Sequence, residues 1–255
     1  LLLNIRSRVG RVAPLVLVCH GFTGSKEGGG RALKMGQKLT HQGFSTLLFD
    51  FSGCGESEGS WEDITLSSHI NDLMSAVQWA RARGFEEITL IGRSFGGTAV
   101  LGYAAADPDL KGVSTWAAVA RPYELFGSFV ADGAPDNGDP KELLAIHGAE
   151  GTAYLRRRFF RDLRQYNIPE RAAQIAPRPF LIIHGTADEV VPFTHAQELY
   201  RAAQAPKTLT PIRNADHRFS AHINQVWDTF FSWLHSSQGD RKSTRLNSSH
   251  TVISY

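Results

Sequence analysis

The stretch Ile88-Thr89-Leu90-Ile91-Gly92-Arg93-Ser94-Phe95-Gly96-Gly97, leading into the helix-prone Thr98–Ala106, decides the fold. An apolar run, then Gly-x-Ser-x-Gly, then a helical pattern reads as a strand, a sharp turn and a helix. Glycine two residues either side lets strand and helix pass closely, while the serine takes a strained backbone conformation. The Ser94 hydroxyl then stands at the carboxyl edge of a sheet, at the positive end of a helix. A serine placed so is a candidate nucleophile, and it needs a base oriented by a carboxylate.

Both partners are available downstream. Phe180–Ile183 reads as a buried strand ending in His184-Gly185-Thr186-Ala187-Asp188-Glu189-Val190-Val191-Pro192, and Thr208–Ile212 precedes Asn214-Ala215-Asp216-His217. Each time an ionisable residue follows a strand end, at the same sheet edge as Ser94. His217 is the candidate base. Asp188, Glu189 and Asp216 compete for the carboxylate; Asp216 adjoins His217, but neighbouring side chains usually point apart. The chain order Ser94, Asp188, His217 is one in which serine nucleophiles and their partners occur. His20 and His184 read as structural residues at strand ends.

The segments HGFTG (20–24), DFSGCGESEG (50–59), GRSFGG (92–97) and HGTADEVVP (184–192) together resemble those of the serine α/β-hydrolases, nearest the small carboxylesterases of the cinnamoyl (feruloyl) esterase type. The resemblance covers roughly 14 to 234. It implies an α/β fold with a mostly parallel central sheet and helices on both faces, with Ser94 on a nucleophile elbow. It puts Asp188 at the position of the acid. It also implies an oxyanion hole from the backbone N–H groups of Phe22 and Phe95, on the loop after Leu15–Cys19 and just after the serine. An acyl-aminoacyl peptidase or a thioesterase would use the same three residues, and a catalytically silent binding module would share the fold.

Bulk properties bound the alternatives. A chain of 255 residues, 42% hydrophobic and 20% charged, suits one globular domain with a sizeable core. A formal net charge of +2 argues for neither nucleic acid nor a membrane as partner. The expected partner is a small-molecule ester, and the sequence is silent on oligomeric state. With only Cys19 and Cys54 there is no disulfide framework, and a cytoplasmic, reducing compartment fits, unless a leader precedes Leu1. No Cys/His cluster has zinc spacing and no dinucleotide fingerprint appears, so neither a metal nor a cofactor is expected. The glycines of Asp50–Ser57 suggest a phosphate loop, but the lysine such a loop needs is missing.

Strand-like runs (15–19, 46–49, 88–91, 113–117, 180–183 and 208–212) alternate with helical ones (31–41, 66–83, 98–106 and 194–203), as in a parallel sheet. Thr194 and Gln197 fit a capping box. The segment 121–178 breaks the alternation and reads as a cap over Ser94. Within it Asp139-Pro140 suggests a helix start, and Leu155, Phe159, Phe160, Leu163 and Tyr166 an apolar stripe on a second helix. The other face of that helix carries Arg156, Arg157, Arg158, Arg161 and Arg164, read as a solvated face beside acids. Tyr123 and Phe126 are candidate substrate contacts, and the cap's aromatic residues suit a short or aromatic acyl group. Leu1–Arg8 reads as the remnant of a second strand whose partner is missing. The hydrolase domain spans 1–236, and 237–255 reads as a disordered or non-native tail.

Overall fold

The β-branched and apolar runs become strands and the amphipathic stretches cover them. The computed structural model describes residues 1–8, 11–130, 137–148, 151–237 and 250–254. In chain order the elements are β1 (Leu2–Arg8), β2 (Arg11–Val12), β3 (Leu15–Cys19), α1 (Arg31–His41), β4 (Ser45–Leu48), α2 (Leu66–Arg81), β5 (Ile88–Arg93), α3 (Phe95–Ala104), β6 (Gly112–Trp116), α4 (Pro122–Gly127), β7 (Leu143–Gly148), β8 (Gly151–Arg156), α5 (Arg158–Leu163), α6 (Ile168–Ala173), β9 (Phe180–Gly185), α7 (Thr194–Ala202), β10 (Lys207–Ile212), α8 (Ile223–Ser237) and β11 (His250–Ser254).

The main sheet runs β10-β9-β6-β5-β3-β4-β1-β11, with β2 paired to β1. From β10 to β4 every pairing is parallel; β1 is antiparallel to β4. Parallel strands need crossovers that place helices on the faces, so the central strands are buried on both sides and continuously apolar. Leu15, Leu17, Ile88 and Leu90 point to the face covered by α2, α3 and α7, while Val16, Ile91, Leu181 and Ile183 meet α1 and α8. α3 is buried all round, which suits its Ala, Gly and Val content. Pro211 is tolerated in β10 because that strand lies at the sheet's edge.

Several expectations are corrected. The capping box lies on α2: Thr65 Oγ1 accepts from the Ser68 N–H at 2.9 Å and Ser68 Oγ accepts from the Thr65 N–H at 2.9 Å. At α7 the cap position is Phe193 and no side chain caps the helix. The cap segment is mixed rather than helical. Asp139 forms a turn, its carboxylate accepting from the Lys141 N–H at 2.9 Å. The following residues pair as the antiparallel hairpin β7–β8. Gly148 and Gly151 bracket the tip, and Gly151 has φ +115°. Leu155 closes β8, Phe159, Phe160 and Leu163 are buried on the short α5, and Tyr166 lies beyond it. Three of the five arginines face acids: Arg156 and Arg158 reach Asp63, each at 2.7 Å, and Arg157 reaches Glu142 at 2.7 Å, while Arg161 donates to the Gly138 carbonyl and Arg164 to the Tyr123 hydroxyl.

At the chain ends, β1 takes an antiparallel place beside β4. Of the segment read as a tail, Ser237 ends α8 and 238–249 lie outside the described residues. His250–Ser254 pair antiparallel with β1, in place of the expected disorder. The open edge of β1 offers unpaired backbone groups, and Thr251-Val252-Ile253 is β-branched.

Beneath the elbow α2 presents His69, stacked on Phe51 with ring centroids 4.1 Å apart and edge-on to Phe95 at 5.2 Å. Neither ring nitrogen has a hydrogen-bond partner among the described residues. Burial, with a smaller contribution from His20, lowers its pKa from 6.5 to about 3. A base whose pKa is depressed by folding is protonated preferentially in the unfolded chain. Stability present above pH 6.5 is therefore lost as pH falls toward 3, at roughly 1.4 kcal/mol per pH unit. Replacing His69 by Leu should remove this term, so that between pH 6.5 and pH 4 the variant gains on the parent in denaturant titrations. Parallel pH profiles for the two would contradict the assignment.

Candidate active site

Ser94 sits between β5 and α3 with φ 53° and ψ −125°. The strain is held from three sides. The Ser94 N–H donates to the Trp116 carbonyl at 2.8 Å, the Ser94 carbonyl accepts from the Thr98 N–H at 3.1 Å, and Thr98 Oγ1 donates to the Val119 carbonyl at 3.0 Å. The flanking glycines are required by space. A Cβ at Gly96 would lie 2.0 Å from the His20 carbonyl oxygen, and one at Gly92 2.4 Å from the Gly96 carbonyl oxygen. Thr23, Ala117, Asn214 and Phe219 also have positive φ, each on a loop after β3, β6 or β10. Strained residues thus gather around one sheet edge.

The structure brings Ser94, His217 and Asp188 together. His217 Nε2 lies 3.1 Å from Ser94 Oγ, and His217 Nδ1 lies 2.8 Å from Asp188 Oδ2. A carboxylate can only accept, so Nδ1 carries the proton and Nε2 offers its lone pair to the serine hydroxyl. All three side chains are buried. Asp188 Oδ1 also accepts from the N–H groups of Val190 at 3.0 Å and Val191 at 2.8 Å. Burial alone would raise the Asp188 pKa, but hydrogen bonds from His184 and His217 outweigh it and hold the carboxyl well below the usual range. Asp216 turns away and accepts from the Ser220 N–H at 2.7 Å, while Glu189 is exposed on the cavity rim.

The loop after β3 approaches the elbow at Gly21, where a Cβ would meet Ser94 Cβ and the Arg93 carbonyl oxygen at 3.2 Å each. His20 braces it. The Phe51 N–H donates to His20 Nε2 at 3.1 Å, so Nδ1 carries the proton and donates to the Gly21 carbonyl at 2.9 Å. Burial lowers the His20 pKa, which favours this neutral ring. The buried Lys26 fastens the same loop to the one after β4: its ammonium reaches Asp50 at 2.7 Å and Glu56 at 2.6 Å. The Asp50–Ser57 loop is thus a brace, and Gly55 leaves room for the carboxylate, which its Cβ would meet at 2.4 Å. Phe95, the first residue of α3, presents an N–H with no partner inside the helix.

Comparison with known proteins agrees with this fold. Residues 14–125 match the family described as the alpha/beta hydrolase fold. The uncharacterized protein YfhR of Salmonella typhi is 30% identical over 185 residues, 70% of this chain and 56% of YfhR. The chain therefore spans little more than half the length of that relative. Among solved structures, Est1E from Butyrivibrio proteoclasticus, with ferulic acid bound, superposes with a TM-score of 0.76 at 21% identity, covering 94% of this chain and 96% of Est1E. The esterase domain of a Rhodothermus marinus protein superposes with a TM-score of 0.70 at 25% identity, covering 92% and 91%. The chain has the α/β-hydrolase fold.

Within this fold, Ser94 and His217 open onto a cavity of about 270 Å³. Its walls include Phe22 from the β3 loop, Leu125, Phe126 and Phe129 from the start of the cap, and Ile146 from the hairpin. A larger hollow of about 530 Å³ lies beyond Phe22, Thr23 and Arg93, between α1 and α8, but neither Ser94 nor His217 lines it. The smaller cavity is therefore the candidate site. Of the two substrate contacts expected in the cap, Phe126 is on the wall. Tyr123 is elsewhere: its hydroxyl accepts from Arg164 at 2.8 Å and its ring lies under the Arg164 guanidinium, outside the cavity. Phe159 and Phe160 serve the core and Tyr154 is exposed. Sequence reasoning missed Ile146 because the hairpin was not foreseen; the Gly148–Gly151 spacing was the available signal. It also missed that His184 touches Asp188, with Nε2 3.1 Å from Oδ2.

Cys54, in a turn-rich stretch, is buried like Cys19, and both are free thiols. Among the described residues no group of three or more His, Cys, Asp or Glu could hold a metal ion, and no helix is long and apolar enough to cross a membrane.

The loops that carry Asp188 and His217 meet at Gly185, where a Cβ would lie 2.2 Å from the Ala215 carbonyl oxygen, whereas a Cβ at Gly148 meets nothing within 4 Å. Gly185→Ala should therefore cost about 1–3 kcal/mol in denaturant unfolding, as overpacking does, and Gly148→Ala far less. Equal effects would show that the Gly185 contact relaxes freely.

Proposed function

We propose that the protein is a serine hydrolase that cleaves carboxylic esters of short-acyl or aromatic acids through an acyl-enzyme intermediate. The relay Asp188–His217–Ser94, with hydrogen bonds of 2.8 and 3.1 Å, carries this reading. His217 takes the Ser94 proton as Oγ attacks the ester carbonyl, and then returns it to the leaving alcohol. Water, deprotonated by the same imidazole, attacks the acyl-enzyme and frees the acid. Asp188, kept ionised, holds the useful tautomer and stabilises the imidazolium that forms. The N–H groups of Phe22 and Phe95 form the oxyanion hole; one such donor is typically worth about 3 kcal/mol in the transition state.

Acyl transfer of this kind needs no metal or cofactor, and the partner is a small ester. A reducing compartment such as the cytoplasm suits the two free thiols. On an activated aryl ester, Ser94→Ala should lose essentially all turnover while staying folded. Asp188→Asn should lose about 10⁴-fold in kcat, as wrong-tautomer variants do, and Asp216→Asn should stay within a few-fold of the parent. Comparable losses at the two aspartates would refute the choice of carboxylate.

The acyl assignment rests on the cavity. At about 270 Å³ with aromatic and aliphatic walls it is small for a ligand pocket and suits a short chain or a single ring. The esterases among the structural neighbours are consistent with it. In a series of kcat/KM values across acyl lengths and a feruloyl ester, Phe126→Ala should shift the optimum toward longer chains and Tyr123→Ala should not. A long-chain preference in the parent, or no shift on opening the Phe126 wall, would exclude this substrate class.

A further inference from the structure

His184 is the penultimate residue of β9, fully buried, four residues before Asp188. Its Nε2 lies 2.8 Å from the Val191 carbonyl oxygen and 3.1 Å from Asp188 Oδ2. The carbonyl can only accept, so Nε2 carries the proton and shares it between the two oxygens. Nδ1 has no partner among the described residues, so the ring is a single-proton donor aimed at this pair of oxygens. Oδ2 is the oxygen that also receives His217 Nδ1, at 2.8 Å. The Val190 and Val191 N–H groups fasten Oδ1. Two imidazoles thus converge on the other oxygen, one facing Ser94 and one enclosed in the core.

We propose that His184 is a positioning residue, which fixes Asp188 Oδ2 so that the His217 ring is held in line with Ser94 throughout the proton transfers. The proposal rests on the serine-hydrolase reading above. The backbone clamps act on Oδ1 alone, and the carboxylate can pivot about that oxygen. His184 supplies the hydrogen bond that stops the pivot on the side facing His217. Val191 couples the two clamps, because its N–H bonds Oδ1 while its carbonyl bonds His184. A buried carboxylate accepting four N–H groups is also a rigid one, and rigid support of a reacting group is what keeps attack geometry within a few tenths of an ångström.

The test compares the parent protein with His184→Met, which fills the space without a donor, and His184→Gln, whose amide N–H can reach the same oxygens. Each is made alone and with Asp188→Asn. His184→Met should lower kcat by roughly 10- to 100-fold, the loss of one charge-assisted hydrogen bond, with KM unchanged. His184→Gln should recover most of that loss. In the Asp188→Asn background His184→Met should add less than about twofold, because it acts through the missing carboxylate. Additive losses, or equal impairment by Gln and Met, would overturn the proposal. The low-field NMR signal of the His217 Nδ1 proton gives a readout that needs no turnover, so it separates failure of the positioning role from failure of the hydrolase reading. The signal should persist with Gln and broaden or vanish with Met; an unchanged signal with Met would overturn the proposal. Should His184→Met not fold, the Gln variant decides, and loss of its signal refutes the role.

Discussion

The whole arrangement depends on one steric constraint, the close crossing of β5, α3 and the loop after β3. At Gly96 the backbone of the helix's first turn lies so near His20 that a single added carbon would overlap its carbonyl oxygen. Gly21 and Gly92 keep the same crossing tight from the other sides. Because the strand and helix meet there, Ser94 is forced to positive φ and its hydroxyl stands clear of the sheet. The contact also brings the Phe22 ring edge-on to the buried Phe95, and the other side of Phe22 lines the cavity. Gly185 repeats the device on the far side, letting the end of β9 touch the loop that carries His217.

Around this crossing His20, Lys26, Asp50 and Asp188 are each paired so that charge is either absent, neutralised or held by donors. His20 is neutral and spends both ring nitrogens on backbone groups. Lys26 and Asp50 neutralise each other away from the cavity, with Glu56 closing the pair at the surface. Asp188 keeps its charge in spite of burial because every approach to its oxygens is a hydrogen-bond donor. A buried carboxylate left short of such donors would take up a proton and lose its hold on the imidazole.

The sheet, its covering helices and the three side chains that meet at its edge were legible because each is written in a local pattern: a β-branched run, a glycine bracket, an ionisable residue just past a strand. What escaped depends on contacts across the chain. Leu143–Gly148 and Gly151–Arg156 carry one β-branched residue each and so lack the run that marks the central strands, and the stripe from Leu155 to Tyr166 imitated a helix that in fact covers only its middle. Thr194 has the residue types of a capping box, yet the chain begins its helical turn one residue earlier, at Phe193. Tyr123 is drawn off the cavity by Arg164, a partner 41 residues away. His184 reads as an ordinary strand-end histidine, because a spacing of four across a strand and a turn carries no signal of contact. The pairing of His250–Ser254 depends on the open edge of β1 at the opposite end of the chain.

The central claim is that Ser94 is the activated nucleophile, and covalent capture tests it most directly. The intact protein would be treated with a fluorophosphonate, digested, and the adduct located by tandem mass spectrometry. The account predicts a single phosphonylated residue, Ser94, with labelling that slows sharply when His217 is replaced by Ala. An adduct on any other serine, or none under conditions that label a known serine hydrolase in the same tube, would contradict it.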